Sequence, residues 1–352
     1  MISPREEVRT TPIAEHGGGH SNDILDFSVC LNAFGPAPSV LEAIRSTRVD
    51  EYPDPRSTEA REAIGQAWNV PPAQLSLSAG SAEAIQAVCF AYVRRGDRVL
   101  IGEPAFGEYR RAALLCGANV IGARSALDDD SLEGLRTTVL REHPRLVFVA
   151  SPVNPSGLAV SREALARIAD ACRAVDALFV LDQAYDAFAT TPLGSPALRS
   201  HDNVVHLRSL TKEHALAGLR VAVAVGPERI IADIESVRVP WATSMAAQAA
   251  TVAALGDEAR QHVRDSIGRL RSERTRIAKA LGIAGHRVLP TDTHFMLVAC
   301  DDATALRDRL VTDHRILVRD CSSFGLPGCV RVAARRPEEN DRLIHALSQA
   351  LR

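Results

Sequence analysis

From residue 58 onward, short unbroken apolar runs alternate with stretches in which apolar residues recur every three or four positions. The first kind, such as LVFVA at 146–150 and LFVL at 178–181, is too short for a helix and lacks polar alternation, which marks strands buried on both faces. Strands are predicted at 74–77, 98–101, 119–123, 146–150, 178–181, 204–206 and 221–225. Helices are predicted over 58–68, 82–93, 109–116, 132–142 and 162–175. This order implies a mostly parallel sheet covered by helices on both sides. Beyond residue 227 the pattern changes to a long helical stretch at 244–281. A strand at 295–298, a helix at 303–312, strands at 316–318 and 330–333 and a helix at 338–351 follow. The expected fold is α/β: a large domain with a mostly parallel sheet over 46–243, and a smaller α+β domain built from 1–45 and 244–352.

Composition narrows the function. The 352 residues are 46% hydrophobic and 24% charged, an ordinary globular balance that is long enough for two packed domains. Net charge is −2, and the basic runs Arg94-Arg95, Arg110-Arg111 and Arg335-Arg336 are short, which argues against nucleic acid or anionic membrane as partner. The first residues carry charges where a secretion signal needs an apolar core, and no apolar run approaches the ~18 residues of a membrane span. A cytoplasmic protein is expected. The seven cysteines are scattered without metal-ligand spacing and are expected to be small core residues. Lysine is informative: of 41 Lys+Arg residues only Lys212 and Lys279 are lysines. Arginine stays protonated and cannot replace a neutral amine. Lys279 lies in a charged amphipathic helix, whereas Lys212 sits between two apolar strands, which points to amine chemistry.

Ligands of open α/β sheets bind beyond the carboxyl ends of the strands. Those ends carry the turn Gly80-Ser81-Ala82, suited to a phosphate at a helix start. They also carry Asn154 in the turn 151–157, Asp182 followed by Tyr185, and Ser209, Lys212 and Arg220. This set fits pyridoxal phosphate. Lys212 would hold the cofactor as a Schiff base and Asp182 would keep its ring nitrogen protonated. The Gly80–Ala82 turn, Ser209 and Arg220 would hold the phosphate. Asn154 and Tyr185 would meet the ring hydroxyl, and Tyr109 would cover a ring face. A dinucleotide glycine motif, a P-loop and a GxSxG elbow are all absent from the sequence.

These residues fall in motifs that resemble the class I/II aminotransferases of fold type I, in the branch of histidinol-phosphate aminotransferases and threonine-phosphate decarboxylases. The motifs are LNAFGP at 31–36, YPDP at 52–55, SAGSAEAI at 78–85, PAFGEY at 104–109, VNPSG at 153–157, LDQAY at 181–185, SLTKEHALAGLR at 209–220 and VRVAARRPEEND at 330–341. The resemblance implies that Arg331 anchors the substrate carboxylate, that Asn32 touches the substrate, and that Tyr52 reaches the cofactor phosphate of a neighbouring subunit in a homodimer with shared active sites. It also implies a substrate-side role for His16 in the segment His16-Gly17-Gly18. That segment and residues 319–324 are similar to the decarboxylases, which makes a decarboxylase or a specialised biosynthetic enzyme the alternative to an aminotransferase acting on a small, phosphorylated or plain, amino substrate. A non-catalytic cofactor-binding regulator is the reading from another class, and no basic DNA-binding helix is evident to support it. Gln183, Ala79 and the Val-Ala-Val-Ala after Arg220 depart from the family pattern.

Overall fold

The computed structural model describes residues 2–19, 23–124, 129–194 and 196–351. A seven-stranded sheet lies at its centre, in the order Leu75–Ser78, Ala222–Val225, Val204–Arg208, Leu178–Asp182, Leu146–Ala150, Arg98–Glu103, Asn119–Arg124. Ala222–Val225 is antiparallel to both neighbours, and the other pairings are parallel. Leu146 and Phe148 face one core with Val180, while Val147 and Val149 face another with Phe179 and Leu181. Helices Ser81–Tyr92, Gly107–Leu115 and Glu228–Val237 cover the first face, and Asp129–Glu142 and Arg162–Ala174 the second. Burial of both faces is why the strands read as continuous apolar runs.

The C-terminal part builds a three-stranded antiparallel sheet from Arg319–Asp320, Cys329–Ala333 and Phe295–Ala299. Leu25–Asp26 pairs in parallel with Ile316–Leu317, so the N-terminal segment lies beside it. Helices Asp257–Ile283, Ala303–His314 and Pro337–Ala350 close a core that includes Phe27, Phe295 and Tyr185. Tyr185 belongs to the loop after Leu178–Asp182, so this core abuts the carboxyl edge of the large sheet.

Several elements differ from expectation. The stretch 244–281 is two helices, Met245–Ala254 and Asp257–Ile283, broken at an extended Gly256. Asp257 and Glu258 then begin the second helix, where acidic side chains meet its positive end. The expected strand 316–318 is shortened to Ile316–Leu317, and a further strand, Arg319–Asp320, follows it in a different sheet. Helices Glu6–Thr10, Pro38–Arg45 and Glu228–Val237 lie outside the predicted set. Among the described residues no helix is long and apolar enough to cross a membrane.

Candidate active site

The carboxyl ends of five strands, and the amino end of the antiparallel strand Ala222–Val225, open on one cleft of about 590 Å3, counting the space at its mouth. Ser81, Ala82, Tyr109, Asn154, Asp182, Tyr185, Ser209, Lys212 and Arg220 line it, together with Phe106 and Thr211. Pairing places Ala150 opposite Asp182, and Asp182 opposite Leu207, so the loops bearing Asn154, Asp182 and Lys212 leave adjacent strands at one level.

Asp182 is buried. Its Oδ2 accepts the Tyr109 hydroxyl at 2.6 Å and its Oδ1 accepts the Ala184 N–H at 2.9 Å. Burial pushes its carboxyl above the ordinary range, against the lowering effect of these two hydrogen bonds and of Lys212 and Arg208. The Tyr109 ring stacks on Phe148 at 4.8 Å, so one of its faces is engaged inside the protein and the other is left for the cleft. Lys212 lies on the short turn Leu210–Glu213, with Nζ 5.8 Å from the centre of the Tyr185 ring. Burial lowers its amine pKa; Arg331 and Arg220 act in the same direction, Cys30 and Asp182 against it. An amine poised toward its neutral form beside a buried carboxylate that makes no ion pair among the described residues is a site short of one cationic hydrogen-bond donor.

The residues present fit pyridoxal phosphate. A protonated ring nitrogen would give Asp182 the cationic donor it lacks, and Lys212 supplies the amine. Gly80 has φ +88°, and a Cβ there would come within 2.5 Å of the Arg220 guanidinium. Helix Ser81–Tyr92 starts at Gly80 without a side-chain cap, which leaves N–H groups at its positive end for a phosphate. Ala79 does not contribute, because its N–H donates to Glu83.

Arg331 is buried on the neighbouring sheet and joins the cleft through Asn154, whose Oδ1 accepts from Arg331 Nη1. Its Nη2 donates to Ser28 O at 2.5 Å, and its buried Nε has no partner. The resemblance drew attention to residues 319–324 but gave Arg319 no role of its own; it stands directly across the strand pair from Arg331. Residues so paired project on the same face, and two like charges there repel unless an anion joins them. Arg319 donates to Glu15 O and Ser323 Oγ, and lines a recess with Glu15, His16 and Ser28. His16 itself bonds the buried Glu108 at 2.9 Å and packs on Phe106 at the cleft wall. Cys30, expected to be inert core, lies against the Tyr185 hydroxyl.

One expectation needs adjustment. Asn32 does not face the cleft, because both N–H groups of its side chain are engaged inside the protein, on Glu213 O and Ser266 Oγ. Gln183, which stands where an acid is usual, accepts from His206 Nδ1 at 2.9 Å. Burial lowers the pKa of that histidine to about 3, so the pair is neutral and does not compete with Asp182 for positive charge. Tyr52 lies away from the cleft of its own chain, 81% exposed and 5.0 Å from the Trp241 ring.

Residues 22–347 match the model of the family "Aminotransferase class I and II". The chain is 31% identical to a histidinol-phosphate aminotransferase of Roseiflexus castenholzii, over 96% of this chain and 92% of that protein. It is 29% identical to an aromatic amino acid aminotransferase of Cutibacterium acnes, over 99% of this chain and 98% of that one. Among solved structures, the histidinol-phosphate aminotransferase of Sinorhizobium meliloti in complex with pyridoxal-5'-phosphate superposes with a TM-score of 0.84. It is 27% identical and covers 93% of this chain and 90% of that one.

Proposed function

The chain belongs to the class I and II aminotransferases and is a pyridoxal-phosphate enzyme of fold type I; from that premise we propose that it moves an amino group from a small substrate bearing a second anionic group, phosphate above all. The observation that carries this reading is the pair Arg319 and Arg331, two largely buried guanidiniums across one strand pair and beside Ser28. One arginine suffices for a carboxylate; the second, paired at 3.6 Å with the largely exposed Glu15, can take a further anion.

Pyridoxal phosphate, when bound, supplies an electron sink that makes the bonds at the substrate Cα breakable. Lys212 would hold it covalently, and its Nζ is the amine placed to take a proton from the substrate Cα. Asp182 would hold a proton on the ring nitrogen, with the Tyr109 hydroxyl fixing the carboxylate. Gly80, Ser81 and Ala82 with Ser209 and Arg220 would hold the phosphate, and Asn154 and Tyr185 would hold the ring hydroxyl. Arg331 aligns the substrate, and that alignment decides which bond at Cα breaks. His16 sets the recess beside Arg319 through its bond to Glu108. Tyr52 reaches the phosphate in a second copy of the chain, which makes the working unit a homodimer, and we place its work in the cytoplasm.

Gly80→Ala tests the phosphate cradle. A side chain at positive φ is strained and its Cβ displaces Arg220, so the dissociation constant for pyridoxal phosphate should rise about tenfold or more. Equilibrium dialysis reads this directly, and unchanged affinity would remove the cradle from Gly80. For the reaction, the cofactor-loaded protein should be mixed with histidinol phosphate, O-phosphothreonine or phenylalanine, with no keto acid. Loss of the yellow colour to a stable amine form with histidinol phosphate supports the proposal. Release of carbon dioxide from O-phosphothreonine identifies a decarboxylase instead, and reaction with phenylalanine alone discards the second anion.

A further inference from the structure

Residues 28–33 alternate in burial, and two of the three buried side chains, Ser28 and Asn32, are polar. Ser28, Cys30 and Asn32 are buried, whereas Val29, Leu31 and Ala33 are partly exposed. An ordinary half-buried extended segment turns its polar side chains outward. The pattern has a local cause, since every second residue meets an active-site group. Ser28 O accepts from Arg331, Cys30 lies against Tyr185, and Asn32 meets the turn that carries Lys212.

Asn32 is saturated by that contact. Its backbone N–H donates to Lys212 O at 3.0 Å, and its Nδ2 donates to Glu213 O at 2.9 Å and to Ser266 Oγ at 2.7 Å. Its Oδ1 accepts the Phe34 N–H and its own carbonyl accepts the Gly35 N–H. A substrate would find only a spare lone pair. The turn Leu210–Glu213 has four residues, and Ala215 at φ +56° turns the chain away just after it. Residues 214–216 donate to Leu210 O, Thr211 O and Lys212 O, whereas Glu213 O receives the Asn32 amide. On one side Thr211 Oγ1 ties the turn to Val221 O beside the large sheet, at 2.9 Å. On the other side Asn32 is the tie, and Ser266 extends it to helix Asp257–Ile283, where the serine hydroxyl donates to His262 O.

We propose that Asn32 is a positioning residue: it clamps the carbonyls of Lys212 and Glu213 between the large sheet and helix Asp257–Ile283, and so fixes where Nζ of Lys212 stands in the cleft. The inference rests on Lys212 being the reactive amine of the proposed function. Placement of a reacting group within about 1 Å is worth up to ~100-fold in rate, so a clamp on its backbone acts on turnover and not on substrate affinity.

The chain offers an internal reference, because Lys279 is its only other lysine and is exposed. Trace acetylation of the cofactor-free protein across pH, read by mass spectrometry, gives the titration of both amines at once. Asn32→Ala keeps the backbone bond to Lys212 O and removes the amide from Glu213 O, and the Lys212 midpoint should move up, because a loosened turn lets Nζ reach water. In the loaded enzyme kcat should fall about 10- to 100-fold, with KM changed less than about twofold. Ser266→Ala keeps both bonds from Asn32 to the turn and should leave the Lys212 midpoint in place. Asn32→Ser, which retains a short donor, should fall between parent and alanine variant, and it carries the test if Asn32→Ala does not fold. The proposal is overturned if the Asn32 variants melt at lower temperature with the Lys212 midpoint unmoved, or if Ser266→Ala moves it as far. Lys212→Ala separates the two ideas: activity that survives it refutes the proposed function itself, whatever Asn32 does.

Discussion

Lys212→Ala protein is expected to turn over substrate at least about a thousandfold more slowly than the parent, at the upper end of what loss of a positioned general base costs. No other group can take its place. Lys279 lies exposed on helix Asp257–Ile283, and the arginines of the cleft stay protonated. The phosphate cradle remains, so the variant should still bind pyridoxal phosphate, without covalent attachment and more weakly. A small amine such as methylamine should restore part of the rate. The pH dependence of that rescue identifies the lost group. Burial lowers the Lys212 pKa, so the parent has its amine neutral at a lower pH than an amine in water. The rescued variant should need a higher pH, near the pKa of the added amine, to reach its plateau. Stability gives an independent readout. A lysine whose folded pKa is depressed lets the unfolded chain bind more protons, so its contribution destabilises the fold at low pH and fades as pH rises toward the ordinary lysine value. Cofactor-free Lys212→Ala should therefore be no less stable than the parent at neutral pH. A variant that kept parent-like turnover would end the assignment of this lysine.

What the sequence made legible had short-range causes. Strands such as Leu146–Ala150 and Leu178–Asp182 are buried on both faces, which leaves apolar runs that need no knowledge of the partner strand. Lys212 stood out because arginine has replaced lysine nearly everywhere else, and Asp182, Asn154 and Tyr185 because they follow strand ends directly. Asn32 was legible as a residue of interest but not in its role. Its partners, Glu213 and Ser266, are 181 and 234 positions away, and a polar residue in a segment of this kind looks the same whether it meets substrate or backbone. The role of Arg319 was hidden for a similar reason, because it comes from standing opposite Arg331 in a strand pair. Cys30 looked like core because cysteine is so often core, and burial alone would have left it there. The break at Gly256 was readable in principle. A glycine followed by Asp257 and Glu258 is a helix start, which the continuous apolar stripe on either side concealed.

Asp182→Asn is expected to cut kcat about 100- to 1000-fold, the scale on which removal of one preorganised electrostatic partner acts in a water-poor site. The substitution keeps shape and keeps an oxygen for the Tyr109 hydroxyl or the Ala184 N–H, so the loop after Leu178–Asp182 should stand as before. The loss is charge, without which a proton on the ring nitrogen has no counter-ion. Stability separates this from a structural role. Burial raises the Asp182 pKa, so without cofactor the folded chain holds this proton more tightly than the unfolded chain, and the residue becomes destabilising as pH rises above the ordinary carboxylate range. The asparagine variant should then be as stable as the parent or more so at neutral pH when free of cofactor, and gain less melting temperature than the parent when pyridoxal phosphate is added. Tyr109→Phe makes the complementary change. It keeps the charge and removes the group that holds it, so its kcat should fall by about tenfold while the cofactor stays bound. If Asp182→Asn destabilised the cofactor-free protein as much as it slowed turnover, the carboxylate would be a loop anchor, and the resemblance between this cleft and a cofactor site would have to rest on Lys212 and the phosphate turn alone.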